Sequence, residues 1–334
     1  MTLKEQIIDL LDAHESLSKR ALIQKTGSSV TEVEKALNEL QGIGSVGKQG
    51  KGRGTTYYLQ CPLKSEEESG DVALLDQNNF IRHWVDTLSN GHFIKFKHYS
   101  LSELPGSRSK IAKPLAEHIW EHHHDRKLLA KSLEVLGYHT LAEVYCDKRP
   151  KKRDTRMGNF GEIVTSAYME QQLGYQVPIY RLRYNPNPEQ SIKGDDVIGF
   201  KFGTQEKEQR IICVAESKVR KHYDTNILNE AYEGIKKSYG QVEPTSLNFI
   251  YERLVERGDY DLARKVHSFL NHFSMKKTYS KKYLIFLVSE HRHITPTRKL
   301  HNQSDIIEGL SIYEFKLSDI HPFIDELFEQ EIVL

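Results

Sequence analysis

The sequence predicts an α/β fold in which a mixed central sheet is flanked by helices, preceded by a small unit of three helices and a hairpin. Three observations support this. Apolar residues recur at helical spacing in short segments up to about residue 60, beginning with Leu3, Ile7, Ile8, Leu10 and Leu11. From Gly158 onward, strand-like and helical patterns are interspersed to the end of the chain. Within that region runs Ile211–Ala215, apolar on both faces as a strand buried inside a sheet must be. The 334 residues suffice for two or three domains, and 38% hydrophobic residues can build an ordinary core.

Taken in order, Leu3–Leu11 is the first helix of the unit at 1–60. Ser18 is placed to cap a second helix ending near Gly27, and Ser28 or Ser29 a third over Val30–Gln41, with Glu32 and Glu34 favourable near its positive end. The run GIGSVGKQGKGRGTTYYL then reads as a hairpin with a glycine-rich basic tip carrying Lys48, Lys51 and Arg53. Three helices followed by a basic hairpin is the order of a winged helix-turn-helix module. Its expected role is DNA contact through the basic tip, although Glu32, Glu34 and Glu39 offset Lys35 on the third helix. Residues 61–79 have the polarity of a linker, and 80–155 is expected to be mainly helical, notably Ile111–Leu136. His122, His123 and His124 fall in that helix; consecutive residues point to different faces, so they are expected at the surface. The last domain, 156–334, is expected to hold a helix at Gly161–Leu173 and strands at Tyr175–Tyr184, Val197–Phe202 and Arg210–Val219. A helix over Asn226–Tyr239, helical segments within Ser246–Phe273 and strands at Tyr283–Ser289 and Leu310–Lys316 complete it.

Several classes are excluded. No apolar run approaches the ~18–20 residues of a membrane span, and the N-terminus lacks a signal-peptide pattern. Cys61, Cys146 and Cys213 are scattered and odd in number, which suits a reducing cytoplasm and gives no zinc or disulfide pattern. Neither a Walker motif nor a dinucleotide fingerprint is present, so any ATP-driven step requires a partner. The net charge of +1 is uninformative, but its distribution is not. Lys148, Arg149, Lys151, Lys152, Arg153 and Arg156 form a second basic run, suited to a phosphate backbone.

The chemistry is expected where the apolar strand ends. Glu216 and Lys218 alternate on it and so share a face, with Cα atoms about 6–7 Å apart. A carboxylate and an ammonium beside a buried strand are costly unless compensated, and a metal ion and a phosphate compensate both. Upstream, Asp195 and Asp196 follow a glycine turn at the mouth of another strand. Phosphodiester hydrolysis needs a hard cation, Mg²⁺ or Mn²⁺, to polarise the phosphate and activate water; one or two carboxylates suffice to hold it. Asp196 and Glu216 are the expected ligands, Asp195 the alternative to Asp196, and Glu162 a further candidate at the helix start after GNFG. Lys218 is expected to position the water or stabilise developing negative charge. A rival acidic-x-Lys tripeptide, Glu314-Phe315-Lys316, alternates as a half-exposed strand and is read as a surface cross-strand pair.

In this order, Glu162, Gly194-Asp195-Asp196 and Glu216-Ser217-Lys218 resemble the PD-(D/E)xK nuclease core. More narrowly, GNFGEI, GDDVIGF and VAESKVR resemble the HamA nuclease family of the Hachiman anti-phage defence system, over roughly residues 80–334. The resemblance implies a restriction-endonuclease-like sheet, metal-dependent DNA cleavage and a helicase partner. Two features depart from it: the N-terminal winged helix, and Gly194-Asp195 where the motif usually has proline before the acid. Two other readings stay open, a DNA-binding regulator with a non-catalytic nuclease-like domain and a recombination or repair nuclease acting on branched DNA.

Overall fold

Short-range capping sets the limits of the first helices, α1 (Leu3–Asp12), α2 (Lys19–Thr26) and α3 (Val30–Gly42). The computed structural model describes the chain except residues 1, 13, 15, 43–45, 51–53, 60–78, 92, 94, 127, 131–134, 136–146, 191–193, 204–209, 223–225, 239–243, 270–278, 291–296, 298–299, 301–304 and 332–334. Ser18 Oγ accepts from the Ala21 amide at 3.2 Å, and Gly27, at φ 67°, closes α2 by donating its N–H to Ile23 O. Ser29 and Glu32 form a reciprocal box: the Ser29 amide donates to Glu32 Oε2 at 3.0 Å, and the Glu32 amide donates to Ser29 Oγ at 3.3 Å. Ile7, Leu11, Leu22, Val33, Leu37 and Leu40 are buried together between these helices. A three-stranded sheet of β1 (Leu17–Ser18), β2 (Val46–Gln49) and β3 (Thr56–Leu59) accompanies them, with β2 and β3 antiparallel. Lys48 is exposed on β2; Lys51 and Arg53 lie outside the described residues.

The chain divides into two compact units, one of Met1–Val72 with Thr87–Ser89 and one of Ala73–Asp86 with Asn90–Leu334. The second unit carries the main difference from expectation. Residues 80–155 are expected to be mainly helical, yet β4 (Val85–Gly91) and β5 (Lys97–Glu103) lie here and belong to the central sheet. Strand β5 gives no apolar pattern because it places polar residues inside: His98 is 3% exposed and Ser100 7%. With β6 (Val197–Lys201), β7 (Ile211–Val219), β8 (Ser280–Ser289) and β9 (Leu310–Lys316), the sheet order is β4-β5-β9-β8-β7-β6. Strands β5, β9, β8 and β7 are parallel, and β6 runs antiparallel to β7 at the edge.

Helices cover both faces. On one, α4 (Arg108–His123), α5 (Arg153–Gln171) and α9 (Ile320–Glu329) pack on Cys213, Ala215, Phe286 and Phe315. On the other, α6 (Ile227–Lys237), α7 (Pro244–Glu256) and α8 (Tyr260–His267) pack on Ile212, Val214, Ile285 and Ile312. Helix α4 breaks at His124, which turns extended at φ −131° and ψ 152°, and helical residues resume at Arg126 and Leu128–Ala130. Its histidines are buried, not superficial. His123 is held between Ile119 O at 2.7 Å and Asn159 Nδ2 at 3.0 Å, and His122 Nε2 lies 3.1 Å from Ser166 Oγ. The expected strand at 175–184 reduces to a bridge from Gln176 to Phe200 and a 3-10 turn at Arg181–Tyr184. Helix α5 starts at Arg153, so GNFG lies within it and not at its start.

Candidate active site

The antiparallel register of β6 and β7 pairs Val197 with Ala215 and Ile198 with Val214. Continued one residue, it sets Asp196 opposite Glu216 on the face shared with Ile198 and Val214. Lys218 follows on that face, its Nζ 2.5 Å from Glu216 Oε1. Both side chains are mostly buried, at 23% and 15% exposure, so the contact is well shielded from solvent. Asp196 Oδ2 accepts from the Ser217 amide at 2.9 Å and from Ser217 Oγ at 3.2 Å, which orients that carboxylate on the strand end.

Glu162 enters from α5. Gly161, its neighbour, makes this possible: a Cβ there would lie 2.8 Å from Val219 Cγ2 and 3.1 Å from Ser217 Oγ, so α5 meets β7 with no side chain between. Glu162 and Asp196 line a narrow cleft together with His122, Arg181 and Ser246, with room for about one water molecule. Its walls thus come from both helical layers, with the start of β6 between them. Burial, aided by Asp196 and Glu216 and opposed by Arg181, pushes Glu162 up to about 8. Burial likewise lifts Glu216 to about 7, with Asp196 adding to the rise and Lys218 opposing it. The three carboxyls therefore feel one another in a poorly hydrated space.

Asp195 faces elsewhere. It is 7% exposed, and its Oδ1 accepts from Ser238 Oγ at the end of α6. Gly194, at φ 115°, makes the turn that leads into the two aspartates, which as successive residues point to opposite sides. The sequence reading missed three contributors. Arg181 is a buried cation beside the cleft; Ser217 braces Asp196; and Gly234 on α6 lets that helix approach Glu216, since a Cβ there would lie 2.7 Å from Glu216 Cδ. A glycine amid the apolar stripe of α6 was the signal for the last.

The other candidates fall outside this cluster. Arg153 is exposed but bonds Asp325, with its Nη2 3.0 Å from Oδ2, and Arg156 bonds Asp325 and Glu329. Lys151 and Lys152 have exposed side chains, while their backbone amides donate to the Glu189 carboxylate. Glu314 is not a surface residue: β9 is internal to the sheet, Glu314 is 3% exposed, and Thr297 Oγ1 donates to it at 2.6 Å. Lys316, in contrast, is exposed at the strand end.

Among the described residues, no three His, Cys, Asp or Glu side chains are arranged to hold a metal ion between them. The donor chemistry nonetheless fits a hard cation. Mg²⁺ needs only one or two carboxylates with water and substrate oxygens, and Asp196 and Glu216 face one another across adjacent strands. Also among the described residues, no helix is long and apolar enough to cross a membrane.

Residues 78–329, which contain the whole central sheet and the cleft, match the HamA family. The chain is similar to the Hachiman protein HamA of Bacillus cereus, with 33% identity over 175 residues, covering 51% of this chain and 61% of that protein. It thus spans about three fifths of the length of that curated relative. With the match running from before β4 to the end of α9, the chain belongs to the HamA family.

Proposed function

We propose that this protein is a metal-dependent nuclease of the PD-(D/E)xK kind that hydrolyses DNA phosphodiester bonds in the cytoplasm as an effector of anti-phage defence. The defence role rests on the Hachiman relative. The single observation that carries the chemistry is the register setting Asp196 opposite Glu216, with Lys218 next on the same face. Asp196 and Glu216 would hold Mg²⁺ or Mn²⁺, with Glu162 as the third carboxyl beside them. Such an ion, when bound, polarises the phosphate and makes its water a nucleophile at neutral pH. Ser217 fixes the Asp196 carboxylate through two hydrogen bonds, so this ligand needs little reorganisation. Lys218 Nζ donates to Glu216 Oε1 and, with substrate in place, is in reach of the attacking water or the developing anionic oxygen.

The N-terminal three-helix unit would act as a winged helix, touching DNA through the exposed Lys48 and the tip residues Lys51 and Arg53. Lys151, Lys152 and Arg153 would track the backbone beside the core, although Arg153 must share its charge with Asp325. The chain has no nucleotide-binding motif, so a helicase or other ATPase partner would supply any ATP-driven step. Purified protein incubated with plasmid and Mg²⁺ or Mn²⁺ tests the reading. Wild type should nick or linearise the plasmid, and Glu216→Ala and Lys218→Ala should each lose at least about a hundredfold in rate. Cleavage that survives both substitutions refutes the assignment.

A further inference from the structure

The three successive histidines at the end of α4 use their ring nitrogens in two different ways. His123 and His124 each turn Nδ1 toward the carbonyl four residues back, Ile119 O at 2.7 Å and Trp120 O at 3.1 Å, so that nitrogen carries the proton. Their Nε2 atoms then accept, from Asn159 Nδ2 and from the Lys148 amide, both at 3.0 Å. His122 is built the other way round. Ser166 Oγ, 3.1 Å from its Nε2, already donates its proton to Ile163 O at 2.9 Å. Toward His122 that hydroxyl can only accept, so Nε2 carries the proton. Burial, with His118 and His123 beside it, holds the His122 ring well below the usual histidine range and hence neutral. Its Nδ1 is thus a bare acceptor on a residue 1% exposed, and no donor among the described residues reaches it.

His122 also lines the cleft beside Glu162 and Asp196, which has room for about one water molecule. We propose that one water occupies this cleft, donating to His122 Nδ1 and to the Glu162 carboxyl, and that His122 thereby positions Glu162 for phosphodiester hydrolysis, a role that rests on the nuclease reading. A buried water needs about two to four polar partners. The cleft offers the His122 lone pair, the Glu162 oxygens and the Ser246 hydroxyl. Glu162 and Ser166 are four residues apart on α5 and so neighbours on one helix face, and His122 lies against that face through Ser166. Asp196 already has its own brace, the two hydrogen bonds from Ser217. The His122 ring cannot swing freely. Tyr180 stacks on it with centroids 3.8 Å apart, and His118 Nε2 lies 3.3 Å from its Nε2. The direction of Nδ1 is therefore set by the scaffold, as a group that orients a metal-binding carboxyl through water requires.

The rival role is packing alone, in which the ring acts through Nε2 and its stack on Tyr180. Two amides separate the roles: asparagine can place its oxygen where Nδ1 stands, whereas glutamine reaches the Nε2 position. Wild type, His122→Asn and His122→Gln, all as full chains, are compared for kcat and KM of plasmid cleavage, for Mn²⁺ affinity by calorimetry, and for melting temperature. A water held on Nδ1 predicts that His122→Gln loses about tenfold or more in kcat and in Mn²⁺ affinity with little change in KM. It also predicts that His122→Asn recovers most of that loss. Packing alone predicts equal losses or the reverse order, with His122→Asn the worse in melting temperature and cleavage alike, and either result overturns the proposal. Nitrogen-15 NMR of wild type reads the ring directly: His122 should carry its proton on Nε2, and a proton on Nδ1 overturns the proposal as well. The nuclease reading fails separately: if wild type binds Mn²⁺ but leaves plasmid intact, hydrolysis is refuted, while the Mn²⁺ affinities and the tautomer still decide the water bridge.

Discussion

Glu162→Gln should make the metal-free protein more stable at alkaline pH, and the structure sets the size of the gain. The Glu162 carboxyl is held at about 8 against 4.5 for an ordinary glutamate, mainly by burial and then by Asp196. Because its folded-state value is the higher, the folded chain grips the proton more tightly than the unfolded one. Its favourable contribution is complete below pH 4.5 and is lost as pH rises through about 8. At about 1.4 kcal/mol per pKa unit, the ceiling on that loss is ~5 kcal/mol. Water entry and side-chain movement reduce this, so ~2–3 kcal/mol is expected, or roughly 5–10 °C in melting temperature for a unit of this size. The glutamine amide keeps the shape and has no charge to lose. Melting curves in EDTA between pH 5 and 9 should show wild type losing stability relative to Glu162→Gln across that range, with Mg²⁺ restoring wild type at pH 8. Glu170, also raised to about 7, is present in both proteins and cancels in the comparison. A constant difference between the two proteins over the whole range would refute the claim that these carboxyls share one poorly hydrated space.

Two other perturbations separate site from scaffold. Gly234→Ala adds a methyl 2.7–2.9 Å from the Glu216 carboxyl, whose flexible end can move aside. Alanine in a helix interior is otherwise better than glycine by up to ~1 kcal/mol, so melting temperature should hold or rise while plasmid cleavage falls about tenfold or more. A variant with unchanged cleavage would show that the Glu216 position is not critical. On the acid side, burial depresses His118 and His123 to about 4, so they contribute stability that is present above pH 6.5 and lost as pH falls through 4. His123→Gln should flatten the acid limb of a stability–pH curve by up to ~3 kcal/mol, measured by urea unfolding at pH 7 and pH 4.5. An unaltered difference between those two pH values would mean that His123 does not resist protonation in the fold.

How far the sequence could be read depended on whether polarity followed position. The strands β6, β7 and β8 were legible because their apolar runs match burial on both faces, whereas β9 was legible as a strand but read as half-exposed because Ser311 and Glu314 interrupt its apolar residues. The capping serines Ser18 and Ser29 were legible because their partners lie three residues away. Strand β5 was not, since His98 and Ser100 are polar residues satisfied, or tolerated, inside the sheet. The histidines of α4 failed for the same reason: periodicity along one helix cannot reveal that Asn159 and Ser166 on α5 receive them. Arg181 was invisible because its importance arises from a turn that brings it against Gly194, thirteen residues away.

The two acidic-x-Lys tripeptides show what a linear motif leaves out. Glu216-Ser217-Lys218 and Glu314-Phe315-Lys316 both end parallel strands of one sheet, and Lys218 and Glu314 lie in the same row across it, each paired with Leu287 of β8. Chemistry cannot distinguish their side chains; position does. Strand β7 has β6 as its outer neighbour, which begins just after Asp196, so the end of β7 meets a second carboxylate beside the cleft. Strand β9 is enclosed by β8 and β5, and Glu314 meets Thr297, with His98 Nε2 3.5 Å from its carboxylate. A buried acid so enclosed can specify packing but cannot reach a phosphodiester. The edge position of β6, set by an antiparallel turn of the chain and not by any residue within the motif, is therefore what turns one of two like tripeptides into a candidate active site.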